Sequence, residues 1–161
     1  RTSSNMAAAT TLRLAREFPT INGIKDASGN FEQIMEILRS RPKGFGVWSG
    51  DDNLTLPLVA LGADGIVSVV ANEVPRMFSD MVRAALKGKW ETARELHYQL
   101  LHLMNINFIE SNPIPAKAAL HMMGMIENQL RLPLVSLSEA NRHKIEQTLQ
   151  ELKHERITIV F

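Results

Sequence analysis

The sequence predicts an α/β fold: three successive parallel β/α units, the last part of a (β/α)8 barrel, followed by a helical appendage. Short apolar, strand-like segments alternate with amphipathic stretches of about ten residues, and the alternation recurs three times before it stops near Trp90. A crossover of that length is what two parallel strands need between them, whereas antiparallel neighbours can join through a two-residue turn. Three parallel strands cannot close on themselves and would present two edges of unpaired backbone groups. A complete eight-stranded barrel takes about 250 residues, so the 161 residues here match its last three units, with the earlier strands expected outside them.

Taken in order, Ser4 to Glu17 carries Met6, Ala9 and Leu12 at helical spacing and stops before Pro19, which predicts a helix. Ile21 to Lys25 reads as a strand. Asp26, Ser28 and Asn30 are natural caps for a helix from Phe31 to Arg41. Phe45 to Ser49 repeats the strand, Gly50-Asp51-Asp52 makes a turn with a cap, and Leu54 to Leu61 is helical, bent or tightened by Pro57. After Ala63-Asp64-Gly65 the β-branched run Ile66 to Val70 reads as the third strand, with Asn72 placed to cap a helix from Glu73 to about Lys87. Trp90 to Phe108, Ala116 to Met125 and Ser138 to Lys153 read as amphipathic helices separated by proline-bearing breaks. The final Ile157 to Phe161 is strand-like or tail. The expected organisation is a partial barrel over residues 1–88 and a helical region over residues 89–161.

The composition, 45% apolar and 22% charged, is that of a globular chain with a sizeable core. Lysine and arginine total 18 against 17 acidic residues, so no net field would attract nucleic acid or an anionic membrane. A small-molecule partner is the expectation. Cysteine is absent, which excludes disulfides and a thiol nucleophile and suits a reducing cytoplasm. Apolar runs such as Gly65 to Ala71 fall far short of the roughly 20 residues of a membrane span. The opening Arg-Thr-Ser-Ser-Asn-Met has neither an initiator methionine nor the order of a signal peptide, so the chain is expected to start mid-protein.

Side chains alternate along a strand, so Ile21, Gly23 and Lys25 project together and Lys25 ends the strand. β/α barrels place catalytic groups at the carboxyl ends of their strands, and glycine would leave space beside the lysine. Burial between apolar walls disfavours an ammonium and exposes the lone pair that attacks a ketone to form an imine. The protonated imine is an electron sink, so a neighbouring carbon can lose a proton and become a nucleophilic enamine. By position alone, a strand-end lysine that snorkels into solvent is the commoner case.

The wording around Lys25 changes that balance. Gly23-Ile-Lys-Asp-Ala-Ser-Gly-Asn30 resembles the Schiff-base segment of the dihydrodipicolinate synthase and N-acetylneuraminate lyase superfamily of class I aldolases. Trp48-Ser-Gly-Asp-Asp52, Gly62-Ala-Asp-Gly-Ile-Val-Ser-Val-Val-Ala-Asn72 and Glu110-Ser-Asn-Pro-Ile-Pro-Ala-Lys-Ala-Ala-Leu120 follow in family order. The last two favour the synthase branch over the sialic acid lyase and sugar-acid aldolase branches. The resemblance, which runs from Arg1 to about Lys153, implies a TIM barrel lyase that joins pyruvate, held on Lys25, to aspartate semialdehyde on the diaminopimelate route to lysine. It also implies a homo-oligomer, commonly a tetramer. Another pyruvate lyase or sugar-acid aldolase, or a non-catalytic scaffold fragment, remains an alternative.

The same resemblance makes Arg1 the group that binds the second substrate's carboxylate, a task suited to a guanidinium fork; a solvated terminal arginine is the alternative. It places the backbone carbonyl of Val67 toward the lysine, with the valine side chain as ordinary core, and Ser49 and Gly50 beside the imine. Asp51 and Asp52 are better read as a helix cap and a dipole partner than as paired catalytic carboxylates. Asn112 to Pro115 reads as a rigid connector before a helix. His97 and His102, five apart, do not stack on one helical face, so no metal and no cofactor are expected. Met104, Met122, Met123 and Met125 are read as core or interface packing, and Trp90 as a helix anchor. The family's tyrosine-threonine-tyrosine proton relay lies upstream of Arg1, and Tyr98 matches none of it. Residues 1–161 alone are therefore expected to be inactive without the N-terminal half of the barrel.

Overall fold

The computed structural model describes residues 4–154. Its sheet holds three parallel strands, β1 (Gly23–Asp26), β2 (Gly46–Ser49) and β3 (Gly65–Ile66), in that order. Helix α1 (Ala8–Glu17) precedes β1, α2 (Phe31–Ser40) and α3 (Thr55–Ala60) make the two crossovers, and α4 (Pro75–Leu86) follows β3. Then come α5 (Trp90–Ile106), α6 (Ile114–Met122) and α7 (Glu139–His154). Pairing sets Gly23 against Gly46, Lys25 against Trp48, and Trp48 against Gly65. These residues share one face, because partners on neighbouring strands and residues two apart along a strand project to the same side.

Ile24 and Val47 project to the other face and join Ile34 and Ile37 of α2, Leu58 of α3, Phe45 and Ala63 in one apolar core. A second core unites α4 with the appendage: Val70, Val74, Phe78 and Met81 pack with Leu100, Leu103 and Met104 of α5, Ala119 of α6, and Ile145 and Leu149 of α7. Truncating a fully buried leucine of this kind to alanine costs about 2–5 kcal/mol. Met122 and Met123 pack on that core, whereas Met125 and Trp90 are exposed. Among the described residues no helix is long and apolar enough to cross a membrane.

Several elements depart from the sequence expectation for local reasons. The residues before Ala8 stay out of α1, and the Asn5 amide is engaged by Gln33, donating through Nδ2 at 2.8 Å. Asn30 caps α2 as expected, its Oδ1 accepting from the Gln33 N–H at 3.1 Å. Pro57 lies in the first turn of α3, where its missing N–H has no helical partner to lose. β3 is two residues long rather than five, because the N–H groups of Val69 and Val70 turn to the Asp52 carboxylate and the chain enters a 3₁₀ turn over Val70–Asn72. Asn72 does not cap α4; its side chain donates to the Val69 carbonyl at 2.8 Å, and the helix opens on Pro75. α6 ends ahead of Gly124, whose φ of 77° supplies the left-handed closure. The strand-like Ile157 to Phe161 lies outside the described residues.

Candidate active site

Lys25 stands one residue from the carboxyl end of β1, on the face it shares with Gly23. Its side chain is not dried within this chain, whose three described strands form an open sheet: it is exposed. Nor does Gly23 leave empty space beside the lysine. The indole of Trp48 fills it: a β-carbon built at Gly23 would collide with ring carbons Cζ3 and Cη2, and one at Gly46 with the same ring. The ring's Cδ1 also comes to 3.5 Å of the equivalent position at Gly65. One side chain thus lies across glycines of three strands and walls the sheet face on which Lys25 stands. The sequence reading did not single out Trp48, although glycine at a strand position is a signal for close approach.

The turn after β2 supplies the nearest neighbours. A β-carbon at Gly50 would lie 3.0 Å from Lys25 Cε and 2.6 Å from Ala27 Cβ, so glycine is needed for this turn to close on the lysine. The Gly50 N–H donates to the Asp26 carbonyl at 2.7 Å. Ser49 is buried on the opposite face, its hydroxyl donating to the Asp51 carbonyl at 2.8 Å, so what it offers the site is backbone. Val67 donates its N–H to the Ser49 carbonyl at 2.9 Å. Its side chain is 49% exposed rather than core.

Neither aspartate caps the following helix. Asp51 precedes the short 3₁₀ turn Asp52–Leu54 without a side-chain cap, and Asp52 reaches across to the turn after β3. Both carboxyls are pushed up chiefly by burial; the charge of Lys25 acts on each in the opposite direction. Behind β1, Asp26 Oδ1 accepts from the Ser28 N–H at 2.8 Å and from its hydroxyl at 2.6 Å, while Oδ2 accepts from Gln33 at 3.2 Å. Because Gln33 also bonds Asn5, these amides tie the segment after the amino terminus to the lysine strand. A cleft of about 310 Å³ runs between them, lined by Ser4, Met6, Lys25, Ala27 and Gln33 among others. Arg1, the expected carboxylate ligand, lies outside the described residues.

Other candidates fall elsewhere. Pro115 sits in the first turn of α6 and is buried with Ile114 and Ala116, as a connector would be. His97 is buried on α5 with its proton affinity lowered by desolvation, and His102 Nδ1 lies 3.3 Å from Glu151 Oε2 across to α7. Among the described residues no group of three or more potential ligands is arranged to hold a metal ion.

The family model described as the dihydrodipicolinate synthetase family matches residues 1–152. The 4-hydroxy-tetrahydrodipicolinate synthase of Koribacter versatilis is 52% identical over 151 residues, which are 94% of this chain and 50% of that protein. Among solved structures, the 4-hydroxy-tetrahydrodipicolinate synthase of Methylacidiphilum fumariolicum SolV superposes with a TM-score of 0.94 at 40% identity, covering 99% of this chain and 53% of the other. The chloride-inhibited dihydrodipicolinate synthase of Acinetobacter baumannii, complexed with pyruvate, gives 0.90 at 38% identity over 99% and 53%. The chain spans about half the length of the curated relatives it matches. Its lysine strand, the glycine turn closed on that lysine and a family match across nearly all of its residues lead to one assignment: the chain belongs to the dihydrodipicolinate synthetase family.

Proposed function

We propose that residues 1–161 form the carboxy-terminal half of a (β/α)8 barrel enzyme, a 4-hydroxy-tetrahydrodipicolinate synthase, with residues 1–88 in the barrel and 89–161 as its helical appendage. The observation that carries this reading is the placement of Lys25 at the carboxyl end of β1, with Gly50 in contact range of its Cε. In this reading the neutral Lys25 amine attacks the keto carbon of pyruvate and, with uptake of one proton from solvent, water leaves, giving a protonated imine. Loss of a methyl proton gives the enamine, whose carbon attacks the aldehyde of L-aspartate 4-semialdehyde. Arg1 would hold the carboxylate of that second substrate, and the Val67 carbonyl, with the Ser49 and Gly50 backbone, would line the imine pocket. The pyruvate complex of the A. baumannii relative supports the choice of keto acid.

The amino-terminal half of the barrel, from the same or another chain, would pair with the edge strands β1 and β3 and exclude water from the exposed Lys25. Without it Lys25 stays solvated, and the piece alone is inactive. A cytoplasmic homotetramer acting in lysine biosynthesis completes the proposal. The test is covalent trapping: the full-length protein treated with pyruvate and borohydride should gain the mass of the reduced adduct at Lys25, and Lys25→Arg should gain none. Labelling elsewhere, or none in the full-length protein, would sink the assignment. Product formation with aspartate semialdehyde, but not with sugar-acid precursors, then identifies the second substrate.

A further inference from the structure

Two buried carboxyl groups take no part in the imine chemistry. Asp52, from the turn after β2, and Glu73, from the turn after β3, are each 2% exposed, and each has one oxygen engaged and one without a partner. Asp52 Oδ2 accepts the N–H groups of Val69 and Val70, both at 3.1 Å. Glu73 Oε2 accepts from Asn107 Nδ2 at 3.0 Å, and that same amide also donates to the Leu103 carbonyl of α5 at 3.1 Å. Asp52 Oδ1 and Glu73 Oε1 have no hydrogen-bond partner among the described residues. Both carboxyls belong to one turn, since Asp52 accepts the Val70 N–H and the Glu73 N–H donates to the Val70 carbonyl at 3.0 Å. Buried acceptors left bare are rare in folded proteins, and two ionised carboxylates at one buried turn are worse.

Donor and acceptor accounting resolves both orphans together. A proton on Glu73 Oε1 is a donor, and Asp52 Oδ1 is the acceptor that lacks one, either directly or through a single buried water. Asp52 is the better seat for the negative charge, since two backbone N–H groups point at it and, among the described residues, no backbone N–H is bonded to the Glu73 carboxyl. We propose that Glu73 and Asp52 share one proton as an acid–carboxylate pair, and that the pair is a positioning device fastening the turns after β2 and β3 to the end of α5. The segment it fixes, Val67 to Val70, begins beside the Ser49 carbonyl at the floor of the Lys25 site.

The surrounding charges agree. Burial and the charge of Asp52 push Glu73 up to about 8, against the Asn107 hydrogen bond. From α5 the neighbour is the neutral Asn107; Asp52 also feels the charge of Lys25 and acts on Asp51, and the Ser68 hydroxyl, like the two backbone N–H groups, favours its ionised form. A coupled pair of this kind titrates as a unit.

Isotopic labelling of glutamate side-chain carboxyl carbons in the full-length protein provides the test. One resonance should titrate with a midpoint near 8, vanish in Glu73→Gln and move to lower pH in Asp52→Asn, which removes the neighbouring charge. Thermal unfolding against pH gives a second readout. Glu73 holds its proton more tightly when folded, about 8 against an ordinary 4.5, so its contribution is fully present below 4.5 and is lost as pH rises through 8. Glu73→Gln keeps an N–H donor in place, so it should stay close to the parent near pH 4.5 and lose the decline between there and about 8. Glu73→Leu should be less stable throughout. Glutamate resonances that all titrate in the ordinary carboxylate range, or a Gln variant as unstable as Leu, overturn the proposal. None of these measurements needs turnover, so they remain readable if the imine assignment itself fails.

Discussion

The Trp48 indole occupies the space that a β-carbon on Gly23 would need, one strand away in the sheet. It fills the same space over Gly46, so both positions are closed to any side chain while the ring is there. An indole held flat on a sheet cannot swing its tip aside as a lysine would. Gly23→Ala should therefore cost about 1–3 kcal/mol, the usual range for overpacking, measured by urea unfolding of the full-length protein. Adding Trp48→Leu to Gly23→Ala should recover part of that loss. A penalty that is the same with leucine at 48 as with tryptophan would mean that the ring is not what excludes the methyl.

Gly50 makes the corresponding argument for the site itself. A methyl there meets Ala27 Cβ at 2.6 Å and Ala27 Cα at 3.2 Å, neither of which can rotate away, and Lys25 Cε at 3.0 Å. The turn after β2 must then back off or the lysine must shift. Displacing a reacting group by an ångström can cost about 100-fold in rate, so Gly50→Ala should slow borohydride trapping of pyruvate by about that factor while leaving the protein folded. A rate equal to the parent's would remove this turn from the site.

How far these relationships were legible depended on their range in the chain. Asn30 as the cap of α2 and the common face of Gly23 and Lys25 follow from neighbours within a few residues, and both could be read. Asp52 could not be placed correctly that way, because its partners are Val69 and Val70, 17 and 18 residues on. The same two hydrogen bonds shortened β3 against its β-branched composition, a case of tertiary demand overriding propensity. Glu73 and Asn107 are 34 residues apart and carry no pattern that joins them. The exposure of Lys25 was illegible for a different reason: dryness belongs to whatever covers a residue, and alternation along a strand reports only the face. Glycines at 23, 46 and 65 each open a strand, but the sequence showed Gly23 only as free space and Gly65 only as a turn residue, and the strand register was needed to identify Trp48 as what lies against all three.

At the opposite end of the sheet, Arg41 joins the start of β2 to the start of β3. Its guanidinium donates to the Phe45 carbonyl at 3.0 Å, to the Gly62 carbonyl at 3.2 Å and to the Asp64 carboxylate, which also accepts the Val47 N–H at 2.8 Å. Burial resists ionisation of Asp64, but the Val47 N–H and the Arg41 charge outweigh it and hold the carboxyl below its ordinary 3.8. A depressed folded value means that this stabilisation is present above 3.8 and is lost as pH falls through the folded value. With the Asp64 side chain 42% exposed, solvent screening keeps the charge part small. Asp64→Ala, which strands the Val47 N–H and takes one of three acceptors from the guanidinium, should cost about 1–3 kcal/mol. Asp64→Asn keeps an acceptor and should cost less, while flattening the acid limb of the stability profile. An acid limb that is unchanged in Asp64→Asn would place the sensitivity on another carboxylate.

Helix α7 is capped by a residue from outside it. Glu110 Oε1 accepts the Ser138 N–H at 3.1 Å, the Ser138 hydroxyl at 3.0 Å and Asn141 Nδ2 at 2.8 Å, so one oxygen gathers three donors at the helix start. Asn141 and the Ser138 N–H hold the Glu110 carboxyl below its ordinary value, and a negative charge there also suits the positive end of the helix dipole. Because α7 contributes Ile145 and Leu149 to the core it shares with α4 and α5, loosening its first turn should loosen the appendage from that end. N-terminal caps are worth about 1 kcal/mol, which predicts that Glu110→Ala raises amide exchange over the first turns of α7 several-fold and leaves α2 and the strands unchanged. Glu110→Gln, uncharged but still an acceptor, should fall between. Exchange in α7 that does not respond to Glu110→Ala would show that the three hydrogen bonds contribute nothing to its start, and that core packing alone holds the helix in place.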